Sequence, residues 1–193
     1  MEDINSHQYW EHRYSENNTQ WDIGYPSTPI AAYIDTVNDK EIKILIPGCG
    51  NAYEAKYILV QGFNNLTLID IASQPVQNLR DDLKDFGTKL RITEGDFFQL
   101  DEQFDLIIEQ TFFCALTKDK RMDYVKKMQE LLKPNGKLVG VLFDRSFVDG
   151  PPFGGSAAEY EELFSAHFSN VDIKPCYNSI PARLGSEVFI NIS

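Results

Sequence analysis

The chain has 193 residues, of which 42% are hydrophobic, and its 29 acidic and 18 basic side chains give a formal net charge of -11. This length suits one domain that buries a core without disulfides or metals. The excess of acids disfavours nucleic acids as partners, so a small-molecule substrate is favoured. No signal peptide or membrane span is predicted, and the three separated cysteines are typical of reduced thiols in a cytoplasmic protein.

Short apolar runs alternate with helical patterns after a polar N-terminal stretch that is rich in aromatic residues. Strands are predicted at 42–46, 66–70, 89–94, 104–109, 136–143, 171–175 and 187–192. Helices are predicted at 51–61, 73–86, 118–132 and 157–168. This alternation indicates an α/β protein with a mostly parallel sheet and helices on both faces, because right-handed crossovers allow few other topologies. The last two strands have no helix between them, so one of them is expected to run antiparallel.

A Gly-x-Gly turn, formed by Gly48 and Gly50, follows the first strand, and Asp70 ends the second strand. Glycines in such a turn let the backbone approach a nucleotide-type ligand, and the acid accepts hydrogen bonds from ribose hydroxyls. A dinucleotide fingerprint has a third glycine where this chain has Tyr53. The pattern therefore favours S-adenosylmethionine over NAD, with a plain structural turn as the alternative.

Two more groups of candidate residues follow the third and fourth strands. Asp96 is expected to accept from an adenine amino group while Phe97 walls the ring, unless both belong to an ordinary turn beside the core. Glu109 and Gln110 precede the aromatic pair at 112–113, which suits either a floor beneath a reacting group or core packing. Glu109 is a candidate base, although a contact with the cofactor's amino group or with local backbone is favoured.

The N-terminal stretch holds both tryptophans, Trp10 and Trp21, and Tyr14 lies about one helical turn after Trp10. Two interpretations stay open. The stretch is a helix packed against the sheet, or it is an aromatic lid over a cationic sulfonium, which the ring quadrupoles attract. The three histidines have no spacing typical of a metal site, so no metal is expected.

Several segments together resemble those of a known family. They are Pro-Gly-Cys-Gly at 47–50, Phe-Asp-Leu-Ile-Ile-Glu at 104–109, Phe-Phe-Cys-Ala at 112–115, Leu-Leu-Lys-Pro-Asn-Gly at 131–136 and Gly-Pro-Pro-Phe at 150–153. In this order they resemble the thiopurine S-methyltransferase family, which includes the plant halide and thiol methyltransferases. The resemblance extends from Trp10 to about Glu187, and the segments at 112–115 and 150–153 are its most particular motifs.

The resemblance implies a Rossmann-like, seven-stranded methyltransferase domain over residues 1–193, with an N-terminal lid at 1–40 and a core at 41–193. By motif position, the residues implied to contact S-adenosylmethionine are Trp10, Tyr14, Trp21, Gly48, Asp70, Asp96, Phe97 and Gln110. Arg121 matches an arginine that lies near the substrate, and we expect it to attract or orient an anion. Phe112, Phe113 and Phe153 are expected to complete a dry substrate pocket.

The predicted function is methyl transfer from S-adenosylmethionine to a small soft nucleophile, in the first place a thiol, leaving S-adenosylhomocysteine as product. A halide or thiocyanate is an alternative acceptor. An NAD-dependent oxidoreductase and a non-catalytic cofactor-binding module are alternatives of other classes. Displacement at a sulfonium by a soft anion needs alignment and desolvation more than a base. We expect a monomer or weak dimer in the cytoplasm, without nucleic-acid or membrane partners.

Overall fold

The computed structural model describes residues 3–193, which form one seven-stranded sheet with helices packed on it. The strands are β1 (Ile44–Pro47), β2 (Leu66–Asp70), β3 (Leu90–Glu94), β4 (Phe104–Gln110), β5 (Leu132–Phe143), β6 (Val171–Pro175) and β7 (Glu187–Ile192). The α-helices are α1 (His7–Ser15), α2 (Thr28–Ile34), α3 (Tyr53–Val60), α4 (Ser73–Asp82), α5 (Arg121–Leu131) and α6 (Ala157–Ser165).

The strand order across the sheet is β3-β2-β1-β4-β5-β7-β6. β7 pairs antiparallel with both β5 and β6, whereas the other neighbouring strands pair in parallel. The prediction of a mostly parallel α/β sheet with one antiparallel strand is therefore confirmed. One consequence matters for the site. Because β7 is reversed, the loop that precedes it lies at the same edge of the sheet as the carboxyl ends of the parallel strands.

Both faces of the sheet are covered by helices. In β1, Ile44 and Ile46 belong to a core that includes residues of α2, α3 and α4, and Leu45 belongs to a second core that includes α5 and α6. Successive side chains of a strand point to opposite faces, so a strand buried on both sides must be apolar throughout. β1 meets that condition, since its residues Ile-Leu-Ile-Pro are all buried.

Two element boundaries differ from the predictions for identifiable reasons. α3 begins at Tyr53, two residues later than predicted, because Gly48, Gly50 and Ala52 all have left-handed φ angles, of +53°, +51° and +43°. β5 begins at Leu132 instead of residue 136, and its pairing with β4 shifts register there. The turn before α3 and the irregular start of β5 are features that apolar periodicity does not predict.

α2 was not predicted as a helix, and it changes the boundary expected for the lid. Its Ile30 and Ile34 are almost completely buried in the core beside α3. Residues 28–34 thus pack against the sheet layer, and the residues that cover the site come before them. The expected lid at residues 1–40 is therefore too long at its C-terminal end.

Candidate active site

A cavity of about 790 Å³ lies at the edge of the sheet where β1 to β5 end and β7 begins, a size suited to a small ligand. We name its two halves after the strands that carry them. The β1–β3 half is lined by residues 48–54, 70–71 and 95–99. The β5–β7 half is lined by Phe143, Arg145, Phe147, Pro151, Pro152, Ala182, Arg183 and Ser186. Residues 110–112, at the end of β4 and directly after it, lie between the halves.

The glycine turn after β1 approaches its neighbours too closely for side chains. A Cβ on Gly48 would lie 2.2 Å from Cδ2 of Phe112, and one on Gly50 would lie 2.8 Å from the hydroxyl of Tyr14. Both glycines also have positive φ, which other residues rarely adopt. The turn thus brings bare backbone into the cavity, as the sequence pattern predicted.

Asp70 lies at the end of β2 and lines the cavity while remaining buried. Its Oδ2 accepts from the N–H of Gly50 at 2.8 Å, and its Oδ1 accepts from the N–H of Ala72 at 2.9 Å. Burial raises the pKa of this carboxyl above its ordinary value, and the two amides oppose that rise. A carboxylate has about four acceptor positions, so two remain for a ligand after these bonds.

The aromatic residues of the N-terminal stretch cover the β1–β3 half. Trp21 packs edge-on against Trp10, with ring centroids 5.5 Å apart, and against Tyr14, at 5.7 Å. All three side chains line the cavity. Burial raises the pKa of the Tyr14 hydroxyl, so it is neutral at physiological pH. The structure therefore combines the two interpretations left open by the sequence, since α1 both packs on the protein and covers the cavity.

Polar contacts attach this cover to the rest of the molecule. Glu11 Oε2 accepts from the N–H groups of Ser73, at 2.7 Å, and Gln74, at 3.3 Å, which are the first two residues of α4. A carboxylate there satisfies helix N–H groups and faces the positive end of the helix dipole. Asp22 accepts from the side chains of Asn51 and Tyr53 and so joins the cover to the glycine turn. We did not predict a role for Asp22.

Asp96 and Phe97 line the β1–β3 half beside Asp70. Asp96 is exposed, and its Oδ1 accepts from the N–H of Phe98 at 2.9 Å, capping a short 3₁₀ turn. Phe97 is buried, with its ring centroid 5.1 Å from that of Phe112. The turn reading and the ligand reading are compatible, because a carboxylate that holds its own loop still has acceptor positions facing the cavity.

The residues after β4 separate into cavity residues and core residues. Gln110 lines the cavity, and its Oε1 is buried without a hydrogen-bond partner among residues 3–193. Buried polar atoms in proteins are nearly always paired, so this oxygen indicates a place for a ligand donor. Glu109 does not line the cavity, since it is fully buried and accepts from Phe112 N, Phe113 N and the Tyr124 hydroxyl. It contacts local backbone, as favoured above.

Arg121 lies outside the cavity lining, which corrects the expectation that it attracts the substrate. It is the first residue of α5 and is buried, with its guanidinium carbon 4.7 Å from the ring of Phe113. Its Nη2 donates to the carbonyl oxygens of Phe153 at 3.0 Å and Gly154 at 2.9 Å. Because α5 packs on the face of the sheet, this guanidinium supports the Gly-Pro-Pro-Phe loop from beneath and does not meet the cavity.

Phe113 and Phe153 are also absent from the lining, contrary to the pocket expected from the sequence. Phe113 is a core residue that packs against Tyr124 and Tyr160. The loop at 150–153 does reach the cavity, but through Pro151 and Pro152. Adjacent aromatic residues such as 112 and 113 cannot both point the same way, so only Phe112 lines the cavity.

Arg183 is a cavity cation that the sequence analysis missed, and Arg13, Lys120 and Arg145 also line the cavity. Arg183 lies in the loop before β7, lines the β5–β7 half and has a side chain only 11% exposed. Its Nη2 donates to the carbonyl oxygen of Trp21 at 3.0 Å, and its Nη1 lies 3.6 Å from Glu187 Oε1. A guanidinium has five donors, so donors remain for a ligand after these contacts with described residues. The sequence feature that could have indicated Arg183 is the predicted antiparallel direction of the last strand, which places the loop before that strand at the cavity edge.

Within residues 3–193, no helix is long and apolar enough to cross a membrane. Nor do His, Cys, Asp and Glu side chains gather in this range into a group that could hold a metal ion.

The strand order, the glycine turn after β1 and the acid ending β2 define an open α/β protein that binds a nucleotide-type ligand beyond the carboxyl ends of its strands. A solved structure with this fold is a Burkholderia thailandensis 1,6-didemethyltoxoflavin-N1-methyltransferase with bound S-adenosylhomocysteine. It superposes with a TM-score of 0.77 at 19% identity, covering 96% of this chain and 85% of that one.

Residues 5–177 match the family model of thiopurine S-methyltransferase. The chain is 31% identical to a probable thiol methyltransferase 2 from Arabidopsis thaliana, over 95% of this chain and 83% of that protein. It is 28% identical to thiocyanate methyltransferase 1 from the same plant, over 92% and 81% of the two chains. The chain therefore belongs to the thiopurine S-methyltransferase family, and it is an S-adenosylmethionine-dependent methyltransferase.

The residues of the β1–β3 half, its aromatic cover and the end of β4 fit this cofactor. The glycine turn admits a ligand to bare backbone, Asp70 retains acceptor positions for hydroxyl donors, and Gln110 Oε1 has no partner among residues 3–193. Trp10 and Trp21 contribute rings that attract cations, and the Trp21 ring already carries the Arg13 guanidinium, whose carbon lies 4.9 Å from the ring centroid. Together they provide the acceptors and aromatic surface that a ribose, an adenine and a sulfonium require.

Proposed function

We propose that the protein methylates a small anionic sulfur nucleophile, in the first place a thiolate. The observation that carries this proposal is Arg183, a nearly buried cation in the β5–β7 half of the cavity. A nearly buried guanidinium that keeps unused donors beside its ion pair with Glu187 favours an anionic ligand, and Phe143, Phe147, Pro151 and Pro152 line the same half of the cavity together with Arg145. The plant relatives' names, thiol methyltransferase and thiocyanate methyltransferase, agree with such an acceptor.

When bound, the cofactor supplies an electrophilic methyl group on a positively charged sulfur. For this part of the reaction we propose that Gly48, Gly50, Asp70, Asp96, Phe97 and Gln110 hold the nucleoside, and that Trp10, Tyr14 and Trp21 cover the sulfonium. Exclusion of water by this cover strengthens the attraction between cation and rings. The contact between Arg183 and the carbonyl of Trp21 joins the cover to the acceptor half.

The acceptor side of the proposal needs no general base. Methyl transfer from a sulfonium to an anion cancels both charges, so a thiolate already in its anionic form reacts without losing a proton. The contribution of the protein is then orientation and desolvation. Arg183 binds the anion, and Phe112, Phe143 and Pro152 exclude water around it.

Thiocyanate or a halide is the second candidate acceptor. The same guanidinium binds a small inorganic anion as readily as a thiolate, and thiocyanate methyltransferase 1 is a full-length relative. The two acceptors differ in size. If both acceptors use one pocket, thiocyanate should inhibit thiol methylation competitively with an inhibition constant equal to its own KM, and the acceptor with the larger kcat/KM is the preferred substrate.

The decisive test of the proposed function is Arg183→Ala, assayed by transfer of radiolabelled methyl to a panel of thiols, iodide and thiocyanate. Loss of a charged hydrogen bond costs about 1.5–3 kcal/mol, so KM for the best acceptor should rise about tenfold or more. Arg183→Lys keeps the charge, so its KM should lie between those of the wild-type protein and Arg183→Ala. Arg80→Ala removes an equal charge from an exposed position of α4 and should leave KM unchanged. Unchanged KM in Arg183→Ala would remove the anion-binding role.

The setting of the protein is a further part of this proposal. The three cysteines are buried free thiols, which supports a reducing, cytoplasmic location. The charge of -11 supports small molecules and not nucleic acids as partners. We propose a monomer or weak dimer, and light scattering across a concentration series would show a stable oligomer if this is wrong.

A further inference from the structure

Glu109 is a fully buried acid at the end of β4 that has no ion-pair partner among residues 3–193. Both of its oxygens are nevertheless engaged. Oε1 accepts from the N–H groups of Phe112 at 2.8 Å and Phe113 at 2.9 Å, and Oε2 accepts from the Tyr124 hydroxyl at 2.6 Å. Hydrogen bonds to an ionised group are about twice as strong as neutral ones, so these three donors compensate for burial of the charge.

The turn that Glu109 holds is strained and forms part of the cavity. Thr111 has a φ of +59°, which is costly for a β-branched residue and persists only where the surroundings enforce it. On either side of it, Gln110 and Phe112 line the cavity. Phe112 also packs on the glycine turn, at the position where a Cβ of Gly48 would stand. Two amides bound to one buried carboxylate thus determine where two cavity side chains lie.

We propose that the ionised carboxylate of Glu109 is a positioning residue for the cofactor, because its bonds to Phe112 N and Phe113 N keep Gln110 and Phe112 in the cavity. Protonation on Oε2 makes this oxygen a donor to the Tyr124 hydroxyl, which then accepts instead of donating, and it leaves Oε1 as a neutral oxygen whose bonds from the two amides are about half as strong. The two hydrogen bonds by which Glu109 holds the strained turn then weaken. This inference rests on the cofactor and does not depend on the identity of the acceptor.

Among Glu109 and the groups that face it, only Glu109 changes its ionisation near neutral pH. Burial raises the pKa of Glu109 from 4.5 to about 7, while the bonds from Tyr124 and the two amides oppose the rise. Tyr124 on α5 and Cys114 after β4 lie beside it, and burial raises the pKa of both, so they stay neutral in this range. We therefore expect cofactor affinity to fall as pH decreases through about 7.

The contribution of the same group to folding stability has the opposite sign. The pKa of Glu109 is higher in the folded protein than in the unfolded chain, so folding binds a proton to it. Its contribution to stability is complete below the unfolded pKa near 4.5 and is lost as pH rises through about 7. Low pH thus increases the contribution of Glu109 to folding stability, while it weakens the hydrogen bonds between Glu109 and the turn after β4.

The test is calorimetric binding of S-adenosylhomocysteine between about pH 5.5 and 8.5 to the wild-type protein, Glu109→Gln, Tyr124→Phe and Tyr160→Phe. Wild-type affinity should fall about tenfold between pH 8 and pH 6. Glu109→Gln should bind weakly with no midpoint near 7. Tyr124→Phe removes a bond that favours the ionised form, so its midpoint should move upward. Tyr160→Phe is the control, because this hydroxyl donates to Phe143 O in the same core and not to Glu109.

An identical midpoint in all four proteins would overturn the proposal, because the titrating group would then not be Glu109. Wild-type affinity in Glu109→Gln would do the same. If Glu109→Gln does not fold, the shift in Tyr124→Phe decides the question, and infrared difference spectra of the wild type should show a carboxylic acid band that grows as pH falls. The readout uses no acceptor, so a wrong assignment of the thiol leaves it unaffected.

Discussion

Three buried carboxylates at the edge of the cavity hold backbone, and none is arranged as a catalytic base. Asp70 binds the amides of the glycine turn and of the residues that lead into α4, and Glu109 binds the turn after β4. Glu54 accepts from the N–H of Ser27 at 2.8 Å. Burial raises the pKa of each. A reaction that needs no base is consistent with acids used in this way, since each positions a loop that shapes the cavity.

Gly48 and Gly87 form a matched pair for testing the glycine turn. Their φ angles are +53° and +54°, but only at Gly48 would a Cβ collide with a neighbour, Phe112. Gly87→Ala should cost roughly 1–3 kcal/mol of unfolding free energy for its backbone conformation alone, which has φ +54° and ψ −128°. Gly48→Ala should cost more and weaken S-adenosylhomocysteine binding at least tenfold. Urea denaturation and calorimetry measure both, and equal effects of the two substitutions would show that Phe112 contact with the turn is unimportant.

The helix that covers the cavity is held differently from the helices of the core. Of the nine residues of α1 only Tyr14 is buried, and the helix attaches through polar contacts such as that of Glu11 with α4. α5 buries five residues, Arg121, Tyr124, Val125, Met128 and Leu131. Segments with few buried apolar contacts open with the smallest free energies, so α1 is suited to admit and release a ligand.

Hydrogen exchange should reveal this difference in the free protein. We expect amides of α1 to exchange faster than those of α5, because opening α1 exposes little apolar surface. Saturating S-adenosylhomocysteine should slow exchange in α1, since the bound ligand adds contacts with Trp10 and Tyr14, and should change α5 little. Mass spectrometry of peptides from both helices provides the measurement. An exchange rate in α1 that is the same with and without S-adenosylhomocysteine would mean that this helix does not cover the bound ligand.

The cavity that we propose for the cofactor is lined by loops from most of the sheet, so we expect the effect of the cofactor on stability to extend to the whole protein. A ligand at 100 times its dissociation constant adds about 2.7 kcal/mol to the unfolding free energy. For a chain of this size, S-adenosylhomocysteine should raise the melting temperature by roughly 5–10 °C. NAD at the same concentration should have no effect, because Tyr53 stands where a dinucleotide turn has glycine. A larger shift with NAD would favour the oxidoreductase reading.

Local patterns in the sequence predicted much of the fold. Six of the seven strands lie within two or three residues of their predicted positions, because apolar runs and glycine turns depend on near neighbours. The start of β5 and the helix α2 were missed, since a register shift and a short helix with one proline leave little periodicity. Within the site, the resemblance assigned Asp70, Asp96 and Gln110 to cofactor binding. The structure places all three in the lining of one cavity, because each lies at the end of a parallel strand or just after it.

The sequence by itself determined the fold class, since strand periodicity and turn glycines are short-range features, and its motifs determined the family. Only the tertiary structure decided which arginine meets the cavity. Arg121 begins a helix on the face of the sheet and is used beneath a loop, whereas Arg183 reaches the cavity because β7 runs antiparallel. The direction of a long side chain depends on what packs around it, and that information is distributed over residues far apart in the chain.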